Sequence, residues 1–308
     1  MKLDHTRIAI RERSLLDTVD LALFVMREFA GPLVAASLLA IMPLALINYA
    51  LVGWMVPSDY EGEWVGFRYL WNMTLLVFLE APLAAVFVVA FLGPAVFLEQ
   101  RTLRQVAGDV LRQLTALALC QGLLRGVLVA WGLYLLTSRE EANGFIEGFV
   151  MLLVVLWSAG MRAFRPYINE IILLEQNPLL ARGGAAITVG KRSSHLHSPY
   201  SGDLFVRWLG SAAIAWLLTG LVLLTAITAL GYLISDWPIH FSLEDETMAP
   251  NFDWFKLQVV YPACLWMIAA FFAVVRFLSY LDLRIRHEGW EVELLMRAEA
   301  QRLAAQLN

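Results

Sequence analysis

The sequence predicts an all-α, polytopic integral membrane protein with about six transmembrane helices. Three observations predict it. Of the 308 residues, 59% are hydrophobic and 16% charged, with a mean hydropathy of +0.64. Soluble domains run at roughly 45–50% apolar and about 25% charged. The apolar residues are gathered into blocks of about twenty or more, the length that crosses a bilayer. Lys and Arg also alternate between sparse and rich connections along the chain, as the two sides of a membrane require.

Residues 8–30 carry Leu15, Leu16, Val19, Leu23, Met26 and Phe29 at three- and four-residue spacing, with Arg13, Asp17, Asp20, Arg27 and Glu28 between them. This is an amphipathic helix, suited to a membrane interface or to docking a partner. Ser14 is its expected N-cap, with Asp17 three places on. The N-terminus lacks the short apolar core and small-residue site of a cleavable signal.

The first span is expected over residues 32–56 and the second over 69–98, with Pro43, Pro82 and Pro94 predicting kinks. Residues 99–112 pair Leu103, Val106, Val110 and Leu111 with Arg101, Arg104 and Arg112, a second amphipathic helix. The third span follows over 114–136 and the fourth over 145–164, its helix expected to run on past Pro166 to Gln176. Residues 177–202 form the longest polar connection. The fifth span covers 204–234, an acidic loop 236–253, and the sixth span 254–281, with a polar cytoplasmic tail over 282–308. The whole chain, 1–308, reads as one membrane domain.

The first, third and fifth connections hold only Arg68 and Arg139, with Lys256 at an edge. The remaining Lys and Arg fall at the termini and in the second and fourth connections, so both termini are expected in the cytoplasm. The collar after the last span is the densest such group, with Arg276, Arg284 and Arg286. Together with Arg11, Arg13, Lys191 and Arg192 it forms a candidate surface for docking or for lipid headgroups.

Glu80 and Arg125 are the most informative polar residues. Each lies about a dozen residues into its span, so in adjacent antiparallel helices both reach mid-depth. A lone charge there costs at least about 2.5–3.5 kcal/mol, and pairing within hydrogen-bonding distance is expected. Such a pair serves as a structural register lock or as an ion relay. Gly122 and Gly126 make a GxxxG spacing that permits close helix packing. His195 and His197 lack the third ligand that zinc needs, and the outer acidic residues Asp245, Glu246 and Asp253 lack an EF-hand pattern. Cys120 and Cys264 lie in apolar runs as small hydrophobes. No Walker A, G-x-S-x-G, H-E-x-x-H or paired C-x-x-C motif occurs in the chain. No metal, cofactor or nucleic acid is therefore expected.

The tail segment Phe277-Leu-Ser-Tyr-Leu-Asp-Leu-Arg-Ile-Arg-His-Glu-Gly-Trp-Glu resembles the end of a family of bacterial six-span proteins. That family is named for the membrane domain attached to some glycerophosphodiester phosphodiesterases. Ile8-Ala-Ile-Arg-Glu-Arg-Ser-Leu-Leu-Asp resembles its amphipathic start. Asn169-Glu-Ile-Ile-Leu-Leu-Glu175 with Lys191-Arg-Ser193 is similar to its central cytoplasmic segment. The phosphodiesterase catalytic domain is absent, so no catalytic residue carries over. The resemblance implies a bacterial inner-membrane location and a genomic setting near MoxR-type AAA+ ATPases and transglutaminase-like membrane proteins. The expected function is a non-enzymatic scaffolding subunit of a membrane assembly or homo-oligomer, with a cytoplasmic ATPase as a candidate partner. The alternative is a small-molecule, ion or lipid transporter using Glu80 and Arg125.

Overall fold

The structure, a computed structural model, describes residues 13–56, 63–96, 101–136, 144–180, 187–234, 239–244 and 247–288. Arg11, the far tail 289–308 and the acidic tip at Asp245 and Glu246 lie outside these residues. Helix α1 (Leu15–Glu28) starts at Ser14, whose hydroxyl accepts from the Asp17 amide while Asp17 returns a bond to the Ser14 amide. That reciprocal pair is the capping box expected from the sequence. Thr102 and Gln105 form a second one ahead of α4 (Leu103–Arg112).

Helices α2 (Ala30–Val52), α3 (Glu63–Val96), α10 (Ser201–Ile234) and α11 (Trp254–Glu288) are the long elements. Among the described residues four helices are long and apolar enough to cross a membrane, or six if each of two bent pairs counts as one span. Helix α3 is the central one, flanked by α2 and α11, with α4, α6 (Val127–Leu136), α7 (Gly144–Phe164) and α8 (Ile168–Leu174) also against it. Within its apolar stretch 78% of residues are buried, against 11% for the stretch containing α10, which sits on the periphery.

Two expected spans are broken. The third comprises α5 (Leu114–Leu117), a π-helical turn (Ala118–Leu123) and α6 (Val127–Leu136), bent by 62°. Gly126 sits at the break with φ +83°, a left-handed conformation open to glycine and strained for other residues. Helix α7 (Gly144–Phe164) does not run on past Pro166 as expected. It bends by 60° into α8 (Ile168–Leu174), because a residue before proline is pushed out of the helical region.

The expected polar connection holds a short helix, α9 (Val189–His197), capped by the Thr188 hydroxyl. The acidic loop contains an antiparallel hairpin, β1 (Ile239–Glu244) and β2 (Thr247–Phe252), with Ile239 opposite Phe252. This small sheet is the departure from an all-α chain. Helix α11 continues to Glu288, so the start of the expected tail is helical.

The core has two apolar clusters, one from Tyr69 to Ala84 of α3 with α2, α6 and the first half of α11. The other runs from Ala85 to Val96 with α1, α4, α8 and the second half of α11. Glu80 and Pro82 lie near their junction, where the buried polar groups gather.

Candidate functional site

Glu80 is fully buried on α3 and accepts from the Asn48 amide (2.7 Å) and the Trp131 indole N–H (2.6 Å). Its expected partner, Arg125, is elsewhere. Arg125 is 1% exposed and donates to Gln121 Oε1 (3.1 Å) and to the Arg165 carbonyl (2.6 Å). The break at Gly126 accounts for this difference: it turns the helix after Arg125, so Trp131 on the next arm reaches Glu80. Both residues are buried as expected, but they belong to separate networks.

The breaks in the two bent helices lock into one another. A bend leaves backbone carbonyls without helical donors, which must be satisfied inside an apolar bundle. Arg125, at the first break, supplies the Arg165 carbonyl at the second. In return Trp157 of α7 donates its indole N–H to the Leu124 carbonyl (3.0 Å) at the first. Gln121 in the π turn donates to Asn169 Oδ1, and Asn169 donates to the Pro82 carbonyl (2.6 Å) on α3. Arg162 is 9% exposed, donates to the Leu79 carbonyl (2.8 Å) and lies 4.2 Å from the centre of the Phe78 ring.

Gly122 and Gly126 do not form a continuous packing face, because the helix is interrupted between them. A Cβ on Gly122 would meet Leu128 of the same bent segment at 3.1 Å. One on Gly126 would stand 2.9 Å from Val154 Cγ1 on α7, so only this glycine serves a close approach between helices.

The collar arginines are held in ion pairs with Glu170, Glu175 and Asp282, internal partners that the sequence reading did not assign to them. Arg276 pairs with the fully buried Glu170 at 2.9 Å. Asp282, 2% exposed, accepts from the Arg13 amide (2.8 Å), Arg207 (3.0 Å) and Arg286 (2.6 Å), tying the start of α1 to α10 and α11. Arg207 and Arg286 both donate onward to the Arg13 carbonyl. Glu175 accepts from Arg192 (2.6 Å and 3.0 Å) and Tyr280 (2.7 Å), with Arg284 at 3.8 Å. Burial raises the Glu175 carboxyl, but these partners outweigh it and hold it below the ordinary carboxylate range. Lys191 remains exposed on α9. Of the two histidines, His195 is exposed, whereas His197 is buried against Tyr167 and bonded to Ser193. Cys120 and Cys264 are free thiols.

Beside the interlocked breaks lies a cleft of about 270 Å³ between α3, α10 and α11, reached by Arg125, Arg162, Arg207 and Arg276. Its walls are otherwise mostly apolar and include Phe78, Trp216 and Phe272. Sequence reasoning passed over Arg162, Asn169, Glu170 and Asp282. Their signal was charge or amide at the end of an apolar run, which flanking residues share, and only the packing of the helices shows which of them are buried.

No family model, curated protein or solved structure matches the chain. The family resemblance rests on the short motifs that carry it.

Proposed function

We propose that the chain is a non-enzymatic, multi-pass protein of a bacterial inner membrane, serving as a structural subunit of a larger membrane assembly. The observation that carries the membrane part is the outward surface of α2 and α10. Leu38, Met42 and Leu46 on the first, and Leu217, Leu221 and Leu224 on the second, are exposed along most of each helix. A surface of that extent on a water-soluble monomer would aggregate, whereas a bilayer covers it. The hydroxyls of Thr219, Thr225 and Thr228 bond to their own helix carbonyls, as apolar surroundings demand.

The subunit reading draws on the charged end of the bundle, assigned to the cytoplasm by its arginines. There Asp282 and Glu175 knit α1, α9, α10 and α11 into a fixed platform, and α4 presents the exposed Arg104 and Arg112. Charge groups already paired internally give a partner a rigid shape to dock on. A cytoplasmic ATPase or further membrane subunits are the expected partners. The test is purification of the tagged chain in mild detergent, followed by mass spectrometry of what travels with it. Stoichiometric companions support the reading, and a monodisperse monomer refutes it. Membrane insertion is checked separately by resistance to alkaline carbonate extraction, and the side of the termini by reporter fusions.

A second reading, a carrier for a small molecule or lipid, is favoured by the two bent helices meeting beside the cleft. Broken helices at mid-depth are how many transporters build their binding sites.

A further inference from the structure

Arg125, Arg162 and Arg276 converge on the cleft with more positive charge than the protein balances. Arg276 has Glu170, which is itself fully buried. Arg207, which also lines the cleft, is paired with Asp282 and Asp203. Among the described residues Arg125 and Arg162 have no carboxylate within ion-pair distance: their partners are a glutamine, two backbone carbonyls and a phenyl face. Arginine stays protonated, so among the described residues the guanidiniums of Arg125, Arg162 and Arg276 at the cleft share one buried carboxylate, Glu170, leaving two positive charges in excess. Each of the three also has a buried N–H with no acceptor: Nε of Arg125, Nε of Arg162 and Nη2 of Arg276. An uncompensated buried charge is among the costliest features a fold can carry, and it is kept where something supplies the opposite charge.

We propose that the cleft binds an anionic lipid through a phosphomonoester headgroup, with Arg125, Arg162 and Arg276 as its ligands. Three considerations select this class. Guanidinium forks match phosphate oxygens, and three arginines lining one cleft match the multiple terminal oxygens of a monoester. A monoester carries about −1.5 to −2 near neutral pH, which balances the two excess positive charges. The volume of about 270 Å³ is small for a whole lipid, yet sufficient for a headgroup and the first part of a chain. The chain would leave along the apolar wall formed by Ala212, Ala215 and Trp216 of α10, the most peripheral long helix.

The proposal holds for a scaffold and for a carrier alike, and rests on the membrane reading only for how the lipid arrives. The full chain, purified in mild detergent, is titrated with dioleoyl phosphatidate, phosphatidylglycerol, phosphatidylcholine, oleate or inorganic phosphate and examined by native mass spectrometry. One phosphatidate per chain is expected, held at least about tenfold more tightly than any other probe. Equal retention of phosphatidylglycerol or oleate overturns the phosphomonoester assignment. Equal retention of inorganic phosphate overturns the lipid part, and equal retention of phosphatidylcholine overturns the site. Arg162→Gln is expected to weaken phosphatidate binding by about tenfold or more. Because that change touches the fold, Ala215→Trp provides the second arm: it fills the cleft from the periphery and alters no cation. A folded Ala215→Trp protein that binds phosphatidate like the parent refutes the proposal. Release of the chain by alkaline carbonate would refute the membrane reading instead, whatever the lipid titrations show.

Discussion

Asp282 fastens three parts of the chain at once, and its removal offers the sharpest test of the platform. Asp282→Ala takes the acceptor from the Arg13 amide and from two guanidiniums, all at 2.6–3.0 Å around a carboxylate that is 2% exposed. Breaking a buried ion pair from one side costs about 3–5 kcal/mol. Arg207 and Arg286 retain Asp203, but that side chain is 48% exposed and compensates weakly. The expected loss is therefore at the lower end, about 3 kcal/mol, roughly a hundredfold in the equilibrium that holds α1 down. Asp282→Asn keeps an oxygen for the Arg13 amide and should lose about half as much. Asp203→Ala removes a water-facing partner and should cost below about 1 kcal/mol. Hydrogen exchange of the α1 amides reads the effect directly, with thermal unfolding in detergent as the global measure. Protection of α1 should collapse in Asp282→Ala and survive in Asp203→Ala. Equal effects of the two changes, or an unmoved α1 in Asp282→Ala, would show that the hub does not anchor the helix.

Three further outcomes follow from the same geometry. Glu80→Gln and Arg125→Ala should each lower stability, by about 1–3 kcal/mol for the first because its amide keeps one acceptor oxygen but turns a donor toward one of the two N–H groups. Since the two side chains sit in separate networks, the double variant should be additive within about 0.5 kcal/mol, and a coupling near 2 would mean that they pair. Gly126→Ala should cost about 1–2 kcal/mol or more from its positive φ alone, and more than Gly122→Ala, whose new methyl meets the Leu128 side chain without backbone strain; thermal midpoints rank them. Glu175 is held below its ordinary pKa, so its contribution is complete above the unfolded value and is lost as pH falls through the folded one. Acidification should loosen α9 from α8 and α11 in that window, and Arg192→Gln should move the midpoint to higher pH; an acid transition identical to the parent's would show that the pair contributes nothing.

How much of this was legible in the chain differs by feature. The two capping boxes were partly visible, since Ser14 with Asp17 is a local pattern whose chemistry acts over one helical turn. The apolar runs were equally plain, because a stretch that suits a bilayer must be apolar along its length whatever it packs against. Gly126 was read as half of a packing motif and does stand close to Val154, yet its role is conformational as well, and spacing carries no information about φ. Pro166 was read as tolerable within a helix; it produces the 60° bend, and Arg125 supplies the donor for the Arg165 carbonyl at that break.

Composition and periodicity by themselves determined the largely helical class, the approximate long apolar helices, the amphipathic helices and the burial expected of Glu80 and Arg125. These depend on each residue's own transfer free energy, which does not require knowing its neighbours. Only the tertiary structure decided which charge meets which. It gave Glu80 to Asn48 and Trp131, gave Arg125 to the Arg165 carbonyl, and turned the collar arginines inward onto Glu170, Glu175 and Asp282. A pairing is a property of distance between helices, and two bends of about 60° are enough to reassign every partner at mid-depth.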